Sequence, residues 1–139
     1  MKLPTNKART YFDTPETGRM GMLIYGSDAM RVALKRQTLV KALIGPNGEE
    51  EMRLSRISAS ELRTDPTLLN DAIKSQSFFP GPRVALLEGA SDSIIKIISD
   101  AVEDWNLGDA QIVIIAGQLR SASRLRKLFE SHSNAYAAA

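Results

Sequence analysis

Cysteine is absent from the 139 residues, which excludes disulfides and thiolate metal sites and makes a reducing compartment natural. There is a single histidine, too few for an imidazole-based metal site, and no metal is expected. That histidine, His132, lies near the end of the sequence without a nearby serine–acid partner and reads as a surface residue rather than a general base. No apolar run approaches the roughly 18 residues that span a bilayer. The opening MKLPTNKART lacks the apolar stretch of a secretory signal. A cytoplasmic location is the expectation. The charge excess is only +2, too small by itself to argue for nucleic-acid binding.

What is present is the composition of a folded globular protein, with 43% apolar and 24% charged residues, and the length suits one domain over residues 1–139. Residues 4–14 are polar, with Ala8, Tyr11 and Phe12 on one side, and read as a short amphipathic helix ending before Pro15. Gly18 to Gly21 reads as a loop. Met22-Leu23-Ile24-Tyr25, Val84-Ala85-Leu86-Leu87 and Ile112-Val113-Ile114-Ile115 are short continuous apolar runs, the pattern of strands buried on both faces. Met52 to Ile57 alternates and reads as an edge strand.

Helices fill the intervals. Asp28 caps a helix predicted over Ala29–Leu43, with Met30, Leu34, Thr38 and Ala42 stepping along one face, and Gly45-Pro46-Asn47-Gly48 ends it. Asp65-Pro66 opens a second helix with Leu68, Leu69, Ala72 and Ile73 as its apolar stripe. Ile94, Ile95, Ile97, Ile98, Ala101 and Val102 mark a third, and Ser121 opens a fourth with Ala122, Leu125, Leu128 and Phe129 inward. This alternation predicts an α/β, three-layer domain with a mainly parallel sheet. The tail from Asn134 to Ala139 stops where another strand is expected, so the reading is a domain truncated before its last strand.

The chemistry turns on the first strand-to-helix junction. A phosphate loop runs from a glycine through four residues to Gly-Lys-Ser or Gly-Lys-Thr. Its glycines admit the phosphates to the backbone amides, its lysine reaches the terminal phosphates and its hydroxyl holds magnesium. Counting from Gly26, those three positions carry Arg31, Val32 and Ala33. Valine brings no charge, alanine no ligand, and arginine is too bulky where backbone must close in. Two readings stand: a degenerate, non-binding phosphate loop, or a plain tight turn in an unrelated α/β domain. Glu88, at a strand end where a magnesium-organising acid often lies, then reads as a solvated cap or turn residue. No catalytic residue and no cofactor are expected.

Two further features remain. Arg120, Arg124, Arg126 and Lys127 cluster after an acidic stretch of Glu88, Asp92, Asp100, Glu103, Asp104 and Asp109 that only Lys96 opposes. Such a cluster is a solvated helix face, or a surface on which Arg120, Arg124 and Arg126 meet a phosphate backbone. In Ser75-Gln76-Ser77-Phe78-Phe79-Pro80-Gly81-Pro82-Arg83, adjacent phenylalanines precede a stiff turn. Either both fold under against Leu69 and Val84, or at least one is exposed as a protein-binding anchor.

Three stretches carry a resemblance over nearly all of the chain: Gly21 to Gln37, Phe78 to Val84, and Leu125 to Glu130. Together, in this order, they resemble the delta subunit of the bacterial DNA polymerase III clamp loader, in the alphaproteobacterial style. The resemblance implies a P-loop NTPase-like (AAA+ type) first domain that does not bind ATP, without the lid and collar domains that follow it. It implies no catalysis by this chain itself, although the family belongs to the DNA polymerase III holoenzyme. The implied partners are the sliding clamp (the beta subunit), the delta prime and tau/gamma loader subunits, and primed DNA through the assembled complex. Phe78 and Phe79 fall where the family inserts an apolar pair into a hydrophobic pocket of the clamp to help open it. The family pattern has a leucine before the phenylalanine, so the aromatic pair is a departure that keeps the apolar character.

Overall fold

A computed structural model describes the chain apart from Thr17 and residues 76–79, and of Arg9 it describes only the backbone. Five strands form one sheet: β1 (Gly21–Ile24), β2 (Leu54–Ser58), β3 (Val84–Ala90), β4 (Gln111–Ala116) and β5 (Ala135–Ala138). Their order across the sheet is β2-β3-β4-β1-β5, and every pairing is parallel. The helices are α1 (Thr5–Asp13), α2 (Ala29–Ile44), α3 (Ala59–Thr64), α4 (Leu68–Lys74), α5 (Ile95–Glu103) and α6 (Arg124–Ser131), with one 3-10 turn over Asp92–Ile94. Among the described residues no helix is long and apolar enough to cross a membrane.

The continuous apolar strands follow from burial on both faces. Successive side chains alternate, so Met22, Ile24, Val84, Leu86 and Val113 pack under α1 and α2. Leu23, Ala85, Leu87, Ile112 and Ile114 pack on the opposite face with α3, α4, α5 and α6. The result is a three-layer α/β arrangement. Gly21 is required where β1 meets β4: a Cβ there would stand 1.8 Å from the Ile112 carbonyl oxygen. It therefore opens the strand instead of closing the preceding loop.

Three expectations need correction. The tail does not stop short of a strand: Ala135–Ala138 is β5, lying against β1 with Ala135, Ala137 and Ala138 buried. Alanine has little intrinsic strand preference, so the tertiary slot beside β1 decides its conformation. The face of α2 that packs on the sheet is Val32, Leu39, Val40, Leu43 and Ile44, while Met30, Leu34, Thr38 and Ala42 point to solvent. A step of four residues advances about 40° per step around a helix of 3.6 residues per turn, so that row does not stay on one face. The last helix starts at Arg124, capped by Ser123 and not opened by Ser121, and Ala122 is exposed.

Candidate functional site

At the carboxyl ends of the strands, the chain leaves β1 toward the α2 layer and leaves β4 toward α6 on the other face. Such a reversal opens a crevice, the usual place of a ligand in open α/β sheets. Here it is a cleft of about 590 Å³ whose lining includes Gly26, Ser27, Ala33, Arg36, Glu88 and Gly117. The Gly26 amide donates to the Gly117 carbonyl at 3.1 Å, tying the β1 and β4 ends together.

The β1–α2 turn is short, because α2 already begins at Ala29. The Asp28 carboxylate accepts from the Met30 and Arg31 amides at 3.1 and 3.2 Å. Those are the donors that a helix N-terminus would offer to an anion. A phosphate arriving there would have to displace a carboxylate of its own charge. Of the three loop positions, Arg31 points to solvent, Val32 is buried against the sheet, and Ala33 lines the cleft. The Val32 side chain also packs beneath the turn, its Cγ2 3.5 Å from where a Cβ on Gly26 would sit.

Glu88, at the end of β3, is held by cations. Arg36 Nη1 from α2 lies 3.0 Å from its carboxylate and Arg56 Nη1 from β2 lies 4.0 Å from it. Arg56 in turn meets Glu49 at 3.2 Å. Arg36 thus answers the charge of Glu88 on that side of the cleft. Sequence reasoning missed Arg36. Its signal was present, as a cation on the cleft side of a helix facing a lone strand-end acid. Among the described residues no group of three His, Cys, Asp or Glu side chains is placed to hold a metal.

Phe78 and Phe79 lie outside the described residues, and the segments on either side of them are firmly held. On the α4 side, Lys74 Nζ donates to Asp109 at 2.5 Å and to the Asp104 carbonyl at 2.6 Å, and the Ser75 amide donates to Asp71. On the β3 side, Arg53 is buried, pairs with Glu51 at 2.9 Å and donates to the Pro82 carbonyl at 2.9 Å. Gly81, with φ of 129°, holds a conformation that side chains rarely adopt, and a Cβ there would press on the Arg53 guanidinium, 3.0 Å from Nη1. The Pro80–Pro82 turn is therefore fixed by chain stiffness and by a buried guanidinium.

The basic cluster divides. Arg120 and Arg124 are exposed. Arg126 is drawn inward: its Nε donates to Glu130 at 3.0 Å, its Nη1 donates to the Leu119 carbonyl at 3.3 Å, and its guanidinium lies 5.3 Å from the Tyr25 ring centre. The bond to Glu130 holds the Arg126 pKa above its ordinary value. The N-terminus of α6, beside Arg124, is satisfied by Asp92, which accepts from Ser123 Oγ at 2.6 Å and from the Arg124 and Leu125 amides at 3.0 and 3.2 Å. His132 is half-buried and accepts from the Asn134 amide through Nδ1, and burial pushes its pKa down. No protein-family model matches the chain, and no curated protein matches it.

Proposed function

We propose that this chain is the first domain of a clamp-loader delta-type subunit, an AAA+ type P-loop-like domain that binds the sliding clamp and does not hydrolyse nucleotide. The observation that carries the reading is the β1–α2 turn. Asp28 takes the helix amides, Val32 is turned to the core, and Arg36 neutralises Glu88. A turn in this condition supports binding of a partner over phosphate chemistry. The clamp contact itself rests on the resemblance of Phe78 to Val84. The brace on Pro82 supports it physically, since an anchor on a prefixed turn loses little freedom on docking. In the assembled loader, Arg120, Arg124 and Lys127 are the exposed cluster residues that can approach primed DNA, while Arg126 has other partners.

The test pairs Phe78→Ala and Phe79→Ala with binding to a sliding clamp. Truncating an aromatic anchor costs about 2–4 kcal/mol of binding, roughly thirtyfold to a thousandfold in affinity. The melting temperature should hardly move. A large fall in melting temperature, or unchanged clamp binding by a folded variant, would remove these residues from the contact.

A second reading has one observation in its favour, the roughly 590 Å³ cleft at the β1–β4 crossover. It makes the chain a divergent nucleotide-binding module. Titration with magnesium-ATP in a calorimeter separates the two. The clamp-binding reading expects no heat of binding, whereas low-micromolar affinity that is lost in Gly26→Asp would favour the nucleotide.

A further inference from the structure

Helix α2 carries Arg31, Lys35, Arg36 and Lys41 and no acidic residue. Arg36 is answered by Glu88. Among the described residues the Arg31 side chain has no hydrogen bond or ion pair, and the Lys35 ammonium donates to the main-chain oxygen of Ala139 at 2.5 Å. Arg31 stands in the first turn, where a cation opposes the helix dipole. Lys35 follows one turn later, so the two are like-charged neighbours at a repulsive spacing. Partial burial, and then Arg31, push the Lys35 pKa down.

Beside this basic pair runs an apolar one at the same spacing. Met30 is 74% exposed and Leu34 58% exposed. Leu34, with Arg31 and Lys35, borders a groove of about 460 Å³ between α1 and α2, floored by Ala8 and Phe12 and lined also by Thr5, Asp13 and Thr38, and Met30 stands exposed one turn before Leu34. Asp13 is the one acid among these lining residues. An ordinary solvated helix would place acids in its first turn and interleave charge signs along its face. Here the local rules are broken side by side, which is where functional surfaces are found.

We propose that the outer face of α2, through Met30, Arg31, Leu34 and Lys35, docks an acidic amphipathic helix of a partner protein. The apolar pair and the parallel basic pair match a helix that carries apolar residues one turn apart, bordered by Asp or Glu. Charge complementarity selects an acidic partner, and the exposed aliphatic pair with its apolar groove favours a protein over a nucleic acid, which would use aromatic platforms. The surface lies at the carboxyl end of β1, whereas Pro80–Arg83 precede β3 at the opposite ends of the strands. It is therefore separate from the clamp contact and does not rest on it.

The probe is a labelled helical peptide of about 16 residues with Leu on one face and Glu on its borders, read by fluorescence anisotropy beside a counterpart with Lys for Glu. The Glu peptide should bind, and the Lys peptide should bind at least about tenfold more weakly. Arg31→Glu with Lys35→Glu should exchange that preference, and Met30→Ser with Leu34→Ser should weaken both peptides by about tenfold or more. The charge-reversed chain should stay folded with at most a small fall in melting temperature, since the dipole gain of an acid in the first turn is offset by Asp28 beside position 31 and by the lost Lys35 bond to Ala139. Equal affinity for the two peptides, binding indifferent to Met30 and Leu34, or no binding up to about 1 mM overturns the proposal. A short DNA duplex bound more tightly than the peptide and lost on the same charge reversal overturns it in favour of nucleic acid. Self-association abolished by Met30→Ser with Leu34→Ser overturns it in favour of a second copy.

Discussion

Replacing Arg53 with methionine tests how the segment ahead of β3 is held. The residue is 8% exposed, and its guanidinium bonds to both Glu51 and the Pro82 carbonyl at 2.9 Å. Its main chain also receives the Val84 amide at 2.9 Å and donates to Gly48 at 2.8 Å, and those bonds survive the substitution. Methionine replaces the aliphatic stem, so little cavity is left. What is lost is two charge-assisted contacts, each about 1.5–3 kcal/mol, with the Pro82 oxygen deprived of its donor. Glu51, with 30% of its side chain exposed, regains water and offsets part of the loss. A net cost of about 2–4 kcal/mol follows, short of the upper end for a fully buried pair. At about 3–5 °C per kcal/mol for a domain of this size, melting should fall by about 6–20 °C. Urea unfolding should show a lower midpoint at an unchanged slope. Arg53→Lys keeps the charge but not the fork and should fall between the two. A fall of less than about 3 °C would place Arg53 with ordinary surface ion pairs and refute the brace.

Gly21→Ala must drive a methyl into the Ile112 carbonyl, so it should cost about 3 kcal/mol or more in denaturant unfolding, and a loss under about 0.5 kcal/mol would contradict the close approach. Glu88→Gln removes a half-exposed pair with Arg36; it should cost about 1 kcal/mol at most and lose its effect in high salt. Asp92→Asn should cost about 0.5–2 kcal/mol at neutral pH through the weakened α6 cap. Bonds from Ser123 Oγ and then from the Arg124 and Leu125 amides, against a desolvation effect, hold the Asp92 pKa below its ordinary value. Its stabilisation is therefore complete above the unfolded pKa of about 4 and fades as pH falls through the lower folded value. The gap between parent and Asp92→Asn should close in that acid range, and a gap constant down to about pH 2 would refute the assignment.

The buried strands were legible because a run such as Ile112–Ile115 has no polar side to show. The α2 register was not. Apolar residues occur all round that helix, and the row of fours from Met30 to Ala42 hid the stripe of Val32, Leu39, Val40, Leu43 and Ile44. Helix α3 was missed although Ser58 and Glu61 form a capping box that announces it. The cap of α6 depends on Asp92, some thirty residues away, and no local pattern carries that. At the site, it could be read by counting that Arg31, Val32 and Ala33 stand where a phosphate loop would need glycine, lysine and a hydroxyl. The occupation of the amides by Asp28 and the Arg36–Glu88 pair could not, because both depend on where the turn closes in space.

The place of β1 inside the sheet has a consequence for biosynthesis. The partners of β1 are residues 112–115 and 135–138, about 90 and 115 residues later. At 5–20 residues per second, that is a wait of about 5–20 s for the first partner. Meanwhile β2 and β3, about 30 residues apart, can pair first. Over that interval Met22, Leu23 and Ile24 are an apolar segment without its sheet partners, the kind of exposure that favours aggregation or chaperone capture before the sheet can close around it.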